Sequence, residues 1–211
     1  MTEQILWRLA GSLIWVMAVA ILLVKTHQSA RLLYRLQALG EAGLLAVIAL
    51  DHEPLLWIDV IMVLLIKEIA IPKILGPQKG MIARDYGAKG TVGMTFLLFV
   101  AAAFTLGGLA LGQVPGLLHP LVAGVLLGAW FVSFMHLSSR YETWSMSWAL
   151  LSLDTISGAL AVAVAGPIPE FAGVGIDVGA LVVAVLLALL TRTIASTLHT
   201  TDVRDVEELI G

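Results

Sequence analysis

Long apolar stretches alternate with short polar segments along the whole chain. Each stretch is close to twenty residues long, the length at which an α-helix crosses about 30 Å of hydrocarbon. The pattern therefore predicts an all-α, polytopic membrane protein with about seven transmembrane helices. The predicted helices cover residues 5–24, 33–50, 55–75, 91–112, 121–138 and 145–165, and a last one begins between Glu170 and Gly175 and ends near Ala195.

The Lys and Arg residues lie almost entirely on one side of this arrangement. Ten of them follow the first, third, fifth or seventh predicted helix, whereas the opposite side carries Arg8 alone. Positive residues collect in cytoplasmic loops, so we expect the N-terminus outside and the C-terminus in the cytoplasm. The ten residues are Lys25, Arg31, Arg35, Lys73, Lys79, Arg84, Lys89, Arg140, Arg192 and Arg204.

The composition narrows the class of protein further. Of 211 residues, 59% are hydrophobic and 13% are charged, which is too little polar surface for a soluble globule of this size. The absence of cysteine excludes an iron–sulfur cluster or a nickel–iron centre bound by cysteines of this chain. A net charge of -3 without a basic stripe argues against nucleic acid as a partner. Acidic Glu3 before a long apolar stretch indicates a retained first helix rather than a cleaved signal peptide.

Charged residues inside the predicted helices are the strongest functional signal. A charge in the hydrocarbon costs on the order of 2.5–3.5 kcal/mol, so each one needs a partner, water or a function. Asp154 falls near the membrane midplane, and we expect Ser152, Thr155 and Ser157 to hydrogen-bond its carboxyl group or to hold water. The candidate proton-relay residues are Glu41, Asp59, Lys67, Asp154 and Asp177.

Lys67 is well clear of both ends of its predicted helix. Asp59 lies eight residues earlier, about 12 Å along the helix axis, which suits a water-linked chain rather than a direct bond. Glu68 points about 100° away from Lys67. Pro72 removes a backbone donor and exposes polar backbone groups near the lysine.

Structural roles remain open for each candidate. Asp154 can be a protonated acid bonded to a neighbouring helix, Lys67 can form a structural ion pair, and Asp177 can be an interfacial acid. Glu41 shares a helix face with Gln37 and is either functional or a bridge between helices. The sequence has no metal-ligand spacing and no catalytic constellation, so we expect no metal site, no cofactor on this chain and no enzyme activity of its own.

The order and spacing of several short motifs resemble the hydrogenase-4 component E family. The resemblance rests on residues 67–72 (KEIAIP), on Asp154, on residues 169–177 and on the tail from Thr201 to Gly211, and it covers almost the whole chain. The C-terminal part of that family is similar to the small K subunit of respiratory complex I and to the C subunit of multisubunit cation/proton antiporters. The family commonly has Glu where Asp154 stands, and Gly179 aligns with its second acid.

The resemblance implies a membrane-arm subunit of a formate hydrogenlyase-type or related complex in a bacterial or archaeal cytoplasmic (inner) membrane. Asp154 and Asp177 would take the places of the two intramembrane carboxylates of K-type subunits and would pass protons to an antiporter-like neighbour. Lys67 would supply a movable positive charge. Iron–sulfur clusters and a nickel–iron centre or quinone would belong to partners, namely antiporter-like subunits, a quinone-site-type subunit and peripheral redox subunits, while the chain itself also contacts membrane lipids.

We expect one transmembrane domain over residues 1–211. It would comprise a three-helix part with a cytoplasmic basic loop (1–90), a two-helix linker (91–138), a two-helix part similar to the K subunit (139–195) and a cytoplasmic tail (196–211). Two alternatives are a structural spacer without its own proton path and a stand-alone secondary ion transporter. The sequence leaves open the electron donor and acceptor, the choice of proton or sodium, and the presence of a hydrogenase in the complex.

Overall fold

In a computed structural model of the chain, the structure describes residues 2–51, 55–76, 93–166 and 170–198. Every regular element within these ranges is helical, which confirms the all-α class. The elements are α1 (Thr2–Leu23), α2 (His27–Asp51), α3 (Leu56–Val63), a π-helical segment (Leu64–Ala70), α4 (Ile71–Ile74), α5 (Met94–Leu111), α6 (Pro120–Ser139), α7 (Thr143–Ala165) and α8 (Glu170–Leu198).

The helices fall where the apolar stretches predicted them, with most ends displaced by a few residues. The largest difference is α2, which begins at His27, six residues before its predicted start. α3, the π segment and α4 follow one another without a break, so residues 56–74 form one rod, called the third helix below. Most of the predicted basic loop (Lys73–Lys89) and most of the predicted tail (196–211) lie outside the described residues.

Six helices in the described ranges are long and apolar enough to cross a membrane, namely α1, α2, α5, α6, α7 and α8. Large apolar side chains on their outer faces are exposed, such as Phe99 (74%) and Leu186 (59%). Exposed apolar area on this scale is typical of a surface that faces lipid or a partner rather than water. The chain is therefore an all-α protein of the multi-pass membrane type.

The helices enclose two main hydrophobic cores. One core joins α1, α2, α6 and α7 and includes Ile14, Leu44 and Ile156. The other joins α2, α7, α8 and the third helix and includes Tyr34 and Trp148. Because α2 and α7 belong to both cores, side chains on these two helices can contact residues of α1, α6, α8 and the third helix.

Glycines bring α5 and α6 into backbone contact. A Cβ atom at Gly108 would lie 2.5 Å from the Gly124 carbonyl oxygen and 2.5 Å from the Gly128 amide nitrogen. Small residues four apart permit this close approach in a membrane, where packing rather than water exclusion drives helix association. The small-residue face at Gly124 and Gly128 therefore has a packing role.

Most basic residues of the described ranges, apart from Arg8 and Lys67, gather at one end of the bundle. The Arg140 guanidinium, between α6 and α7, donates to the Leu22 carbonyl oxygen at 2.6 Å, and Arg192 on α8 donates to the Ile74 carbonyl oxygen at 3.4 Å. Both carbonyls belong to the last turns of helices, where backbone acceptors lack intrahelical donors and positive charge is favoured. We call this the basic end, and it contains the last turns of α1 and of the third helix.

Candidate functional site

Lys67 lies in the π-helical segment in the middle of the third helix. In this segment the Ile71 amide donates to the Ile66 carbonyl, five residues back instead of four. Pro72 has no amide hydrogen and its ring crowds the preceding turn, so a widened turn just before it relieves a conflict that an ideal α-helix would retain. Such π segments frequently occur at functional sites. The Lys67 side chain is fully buried.

Three carboxylates surround the Lys67 amino group. Its Nζ lies 2.9 and 3.0 Å from the two carboxylate oxygens of Glu41, 3.2 Å from Asp154 Oδ2 and 3.3 Å from Asp177 Oδ1. The acids come from α2, α7 and α8, so three helices converge on one residue of the third helix. We call these four residues the Lys67 cluster, and it brings together four of the five candidates chosen from the sequence.

The charges of the Lys67 cluster do not balance when all its acids are ionised. One ammonium group faces three carboxyl groups, and an electrically neutral cluster therefore holds two protons shared among the three acids. A net charge in a low-dielectric interior is strongly disfavoured. The arrangement can consequently store protons and redistribute them over short distances.

A glycine on α7 makes room for Glu41. A Cβ atom at Gly158 would lie 2.6 Å from Glu41 Oε1 and 4.0 Å from Lys67 Nζ. No real Cβ atom sits that close to an oxygen, so any larger residue would displace the carboxylate. Gly158 thus has a positioning role that its sequence context alone does not reveal.

Asp59 is buried and is not one of the three acids that surround the Lys67 amino group. It lines a cavity of about 30 Å³ that Glu41, Asp177 and Gly173 also line. A Cβ atom at Gly173 would lie 2.8 Å from the Asp59 carboxylate, which shows how closely α8 approaches it. Since a site for one water needs on the order of 10–15 Å³, the cavity can hold water between Asp59 and the cluster.

Comparisons with protein-family models, with curated proteins and with solved structures gave no match to this chain. Within the described ranges, no group of His, Cys, Asp or Glu side chains has the arrangement of a metal site. The position at the centre of the three carboxylates, where a cation would sit, is taken by the Lys67 ammonium group.

Asp154 is the member of the Lys67 cluster that reaches the surface of the chain. Its side chain is 31% exposed, although its Oδ2 atom is buried beside the lysine. It continues an exposed face of α7 that includes Leu150, Ser157 and Ala161, at the helical spacing of one stripe. Because it is part-exposed, the Asp154 carboxyl group connects the buried cluster to the lipid or the partner protein that covers this face of α7.

The expected partners of Asp154 on its own helix were wrong in part. The Ser152 hydroxyl pairs instead with Ser133 on α6 at 3.0 Å, and Ser157 donates to the Leu153 carbonyl and accepts from Trp130. Ser152 lies two positions from Asp154 and points to a different side of the helix. Ser157, three positions away, shares the exposed face with Asp154, but its hydroxyl is engaged by Leu153 and Trp130.

Sequence reasoning missed Tyr34 as a polar neighbour of the site. It is fully buried, and its hydroxyl lies beside that of Thr155. Its electrostatic neighbours are Lys67, Glu41 and Asp154. The available signal was its spacing, seven residues before Glu41 on α2, which places both side chains on one face of the helix.

Proposed function

We propose that this chain is a non-catalytic membrane subunit of a complex I-related, redox-driven ion-pumping assembly, in which the Lys67 cluster relays protons. The observation that carries the proposal is the convergence of three carboxylates, each from a different helix, on one buried lysine. Intramembrane acids and lysines of this kind mark proton and ion pathways. The family resemblance of the sequence supplies the type of assembly, that of membrane-bound hydrogenases and formate hydrogenlyases.

The relay works through small movements of side chains. A proton that arrives on one acid of the Lys67 cluster weakens the attraction of that acid for the ammonium group, and the lysine then moves closer to another carboxylate. Each acid lies within 3.3 Å of Nζ, so sub-ångström shifts change which partner is preferred. The positive charge of Lys67 and the protons of the acids therefore move in a coupled way.

Two routes lead away from the Lys67 cluster. The cavity beside Asp59 and Asp177 connects it towards the first turns of α3 and α8. The part-exposed Asp154 connects it sideways through the face of α7. In an assembly, an antiporter-like subunit covering that face would receive the proton from Asp154, which accords with the expected role of this residue as a lateral relay.

The proposed topology has seven spans, with the third helix as the additional one. The third helix carries four charged residues, but Lys67 and Asp59 are buried in the bundle and Glu68 pairs with Arg35 of α2. The charges are therefore shielded from lipid or close to the basic end. With the basic end in the cytoplasm, the arrangement follows the positive-inside rule and puts the N-terminus outside.

The redox chemistry is assigned to partner subunits. Peripheral subunits would carry iron–sulfur clusters. A nickel–iron centre or a quinone would be bound by other partner subunits, while this chain links antiporter-like subunits in the inner membrane. The experiment is affinity purification of the tagged chain from its native membrane in mild detergent, followed by identification of stoichiometric partners. Antiporter-like and redox subunits support the proposal, and purification of the chain alone contradicts it.

Proton pumping by the purified assembly in vesicles tests the relay itself. Asp154→Asn is expected to lower the rate of proton pumping by about tenfold or more, because a positioned group that gives and takes protons speeds proton transfer by at least this factor. Glu68→Gln is the matched control, because Glu68 is adjacent to Lys67 in sequence but pairs with Arg35 outside the cluster. Unchanged pumping in intact Asp154→Asn assemblies would support the structural-spacer alternative, and transport by the chain alone would support a stand-alone transporter.

A further inference from the structure

A row of buried polar side chains extends from the basic end to the Lys67 cluster. On α2, His27, Tyr34 and Glu41 follow one another at seven-residue intervals, and Gln37 lies on the same face four residues before Glu41. Each interval of seven residues returns to nearly the same side of a helix. Along the axis, the row covers about 21 Å at 1.5 Å per residue.

The first part of the row is lined by aromatic rings. The His27 ring lies 5.5 Å from that of Trp148, and the Trp148 ring lies 5.3 Å from that of Tyr34. Trp148 and Tyr34 are both fully buried. His27 is half-buried at the basic end, so its ring is the member of the row that the medium can reach.

The second part of the row contains buried polar atoms whose hydrogen bonding within the protein is incomplete, although the Tyr34 and Thr155 hydroxyls lie beside each other. Both side-chain amide atoms of Gln37, the Tyr34 hydroxyl and the Thr155 hydroxyl are buried and lack a hydrogen bond of normal geometry to the described residues. All three side chains are fully buried. Leaving such groups unpaired is costly, and buried polar groups of this kind are ordinarily satisfied by internal water.

We propose that these side chains line an internal water chain that conducts protons between the basic end and the Lys67 cluster. Its lining is His27, Tyr34, Gln37 and Thr155, called the polar row below. Water molecules between these groups form a continuous series of hydrogen bonds that ends at Glu41. The inference rests on the proposed function, since it names the route by which the relay site exchanges protons with the cytoplasmic side.

The test measures the rate at which protons reach the Lys67 cluster in the purified full chain. Vesicles that contain the chain are captured through a C-terminal tag, which selects molecules with the basic end outward because α8 ends there. After a rapid change of external pH, the infrared band of protonated carboxyl groups reports uptake by the cluster. Glu41→Gln identifies the contribution of that acid.

Tyr34→Phe removes one hydroxyl and keeps the ring, so the helix packing is retained. We expect the band to reach its full amplitude about tenfold or more slowly than in the unaltered chain, a factor that corresponds to about 1.4 kcal/mol on the barrier. Gln37→Leu is expected to slow it as well. Tyr141→Phe is the matched control, because it makes the same change in the connection between α6 and α7, outside the polar row.

The outcomes separate the two proposals. An unchanged rate in both Tyr34→Phe and Gln37→Leu, with full amplitude, would overturn the polar row and leave the relay site intact. A cluster that shows no protonated carboxyl band in the unaltered chain would overturn the relay site and the row together. A lower amplitude at an unchanged rate in Tyr34→Phe would assign Tyr34 a structural role and contradict the conducting row.

Discussion

Removal of the lysine charge is the sharpest single perturbation of the site. Lys67→Met keeps a long, unbranched side chain of similar size but leaves the three carboxyl groups of the Lys67 cluster without a positive charge. The surrounding helices still hold these acids within a few ångströms of one another. The variant must therefore either tolerate buried negative charge or bind an additional proton.

The distances give the magnitude. With an effective dielectric constant of about 20, the attraction between the Lys67 ammonium group and one ionised acid of the cluster, at 2.9–3.3 Å, is about 5–6 kcal/mol. Desolvation of the charges offsets much of this gross attraction. Removing one partner of a buried ion pair typically costs about 3–5 kcal/mol, and this is the loss we expect in the free energy of unfolding.

The loss depends on pH in a defined direction. The uncompensated acids in the variant bind protons more readily in the folded than in the unfolded chain, so folded-state stability decreases as pH rises. The difference between the unaltered chain and Lys67→Met is therefore expected to be larger in alkaline than in acidic buffer. Reversible unfolding in mixed micelles, followed by circular dichroism at several pH values, measures it.

Arg35→Met provides the matched control. It also breaks a basic–acidic pair between α2 and the third helix, but the Arg35 side chain is 43% exposed, and exposed pairs contribute about 0–1 kcal/mol. The double variant Lys67→Met with Glu41→Gln is expected to lose less free energy of unfolding than the two single variants lose together. Equal, pH-independent losses in Lys67→Met and Arg35→Met would refute the electrostatic reasoning.

Three further predictions concern the frame around the site. Gly108→Ala is expected to destabilise the chain by about 1–3 kcal/mol through overpacking of α5 on α6. Gly107 faces open space, so Gly107→Ala is expected to leave the stability unchanged. Thermal unfolding of the two variants in detergent measures the difference. The His119 ring stacks on Trp7, and its burial there lowers the pKa of His119 below the ordinary value of 6.5. The stability of the folded chain therefore falls as the pH drops below 6.5, and His119→Gln is expected to flatten this pH dependence. Arg140→Ala leaves the Leu22 carbonyl without its donor and is expected to cost about 1–3 kcal/mol in unfolding measurements, with partial recovery in Arg140→Lys.

Each of these three predictions has an outcome that would contradict it. Equal stability of the two glycine variants would show that α5 and α6 adjust without cost. An identical pH profile of His119→Gln and the unaltered chain would contradict the burial effect. Full stability of Arg140→Ala would mean that water replaces the guanidinium at the end of α1.

The fold was largely predictable because span length and apolar content are local properties of the sequence. The π segment was not, since hydrophobic periodicity does not distinguish one widened turn, although Pro72 was a sign of it. The desolvation cost of charges selected Lys67, Asp154 and Asp177 one at a time. Their contact depends on how α7 and α8 pack against the third helix, which no local pattern reports.

Glu41 and Tyr34 show where single-residue reasoning ends. From the sequence, a structural and a functional role for Glu41 were equally well supported. In the structure, Glu41 is the cluster acid nearest to Lys67, and the absence of a side chain at Gly158 of α7 leaves room for its carboxylate. Tyr34 resembles an ordinary core aromatic residue in an apolar helix. Its spacing from Glu41 on α2 indicates a shared helix face, and the positions of the neighbouring helices place its hydroxyl among the polar groups near the cluster.

The most direct measurement of the central claim is the protonation state of the Lys67 cluster in the purified full chain at equilibrium. The claim predicts an infrared band of protonated carboxyl groups at neutral pH that diminishes in Glu41→Gln and in Asp177→Asn and that changes with pH. Glu68→Gln, which alters an acid outside the cluster, is expected to leave the band unchanged. Absence of any protonated carboxyl band that responds to these cluster variants would contradict the claim and would identify Lys67 and its acids as a permanent structural ion pair.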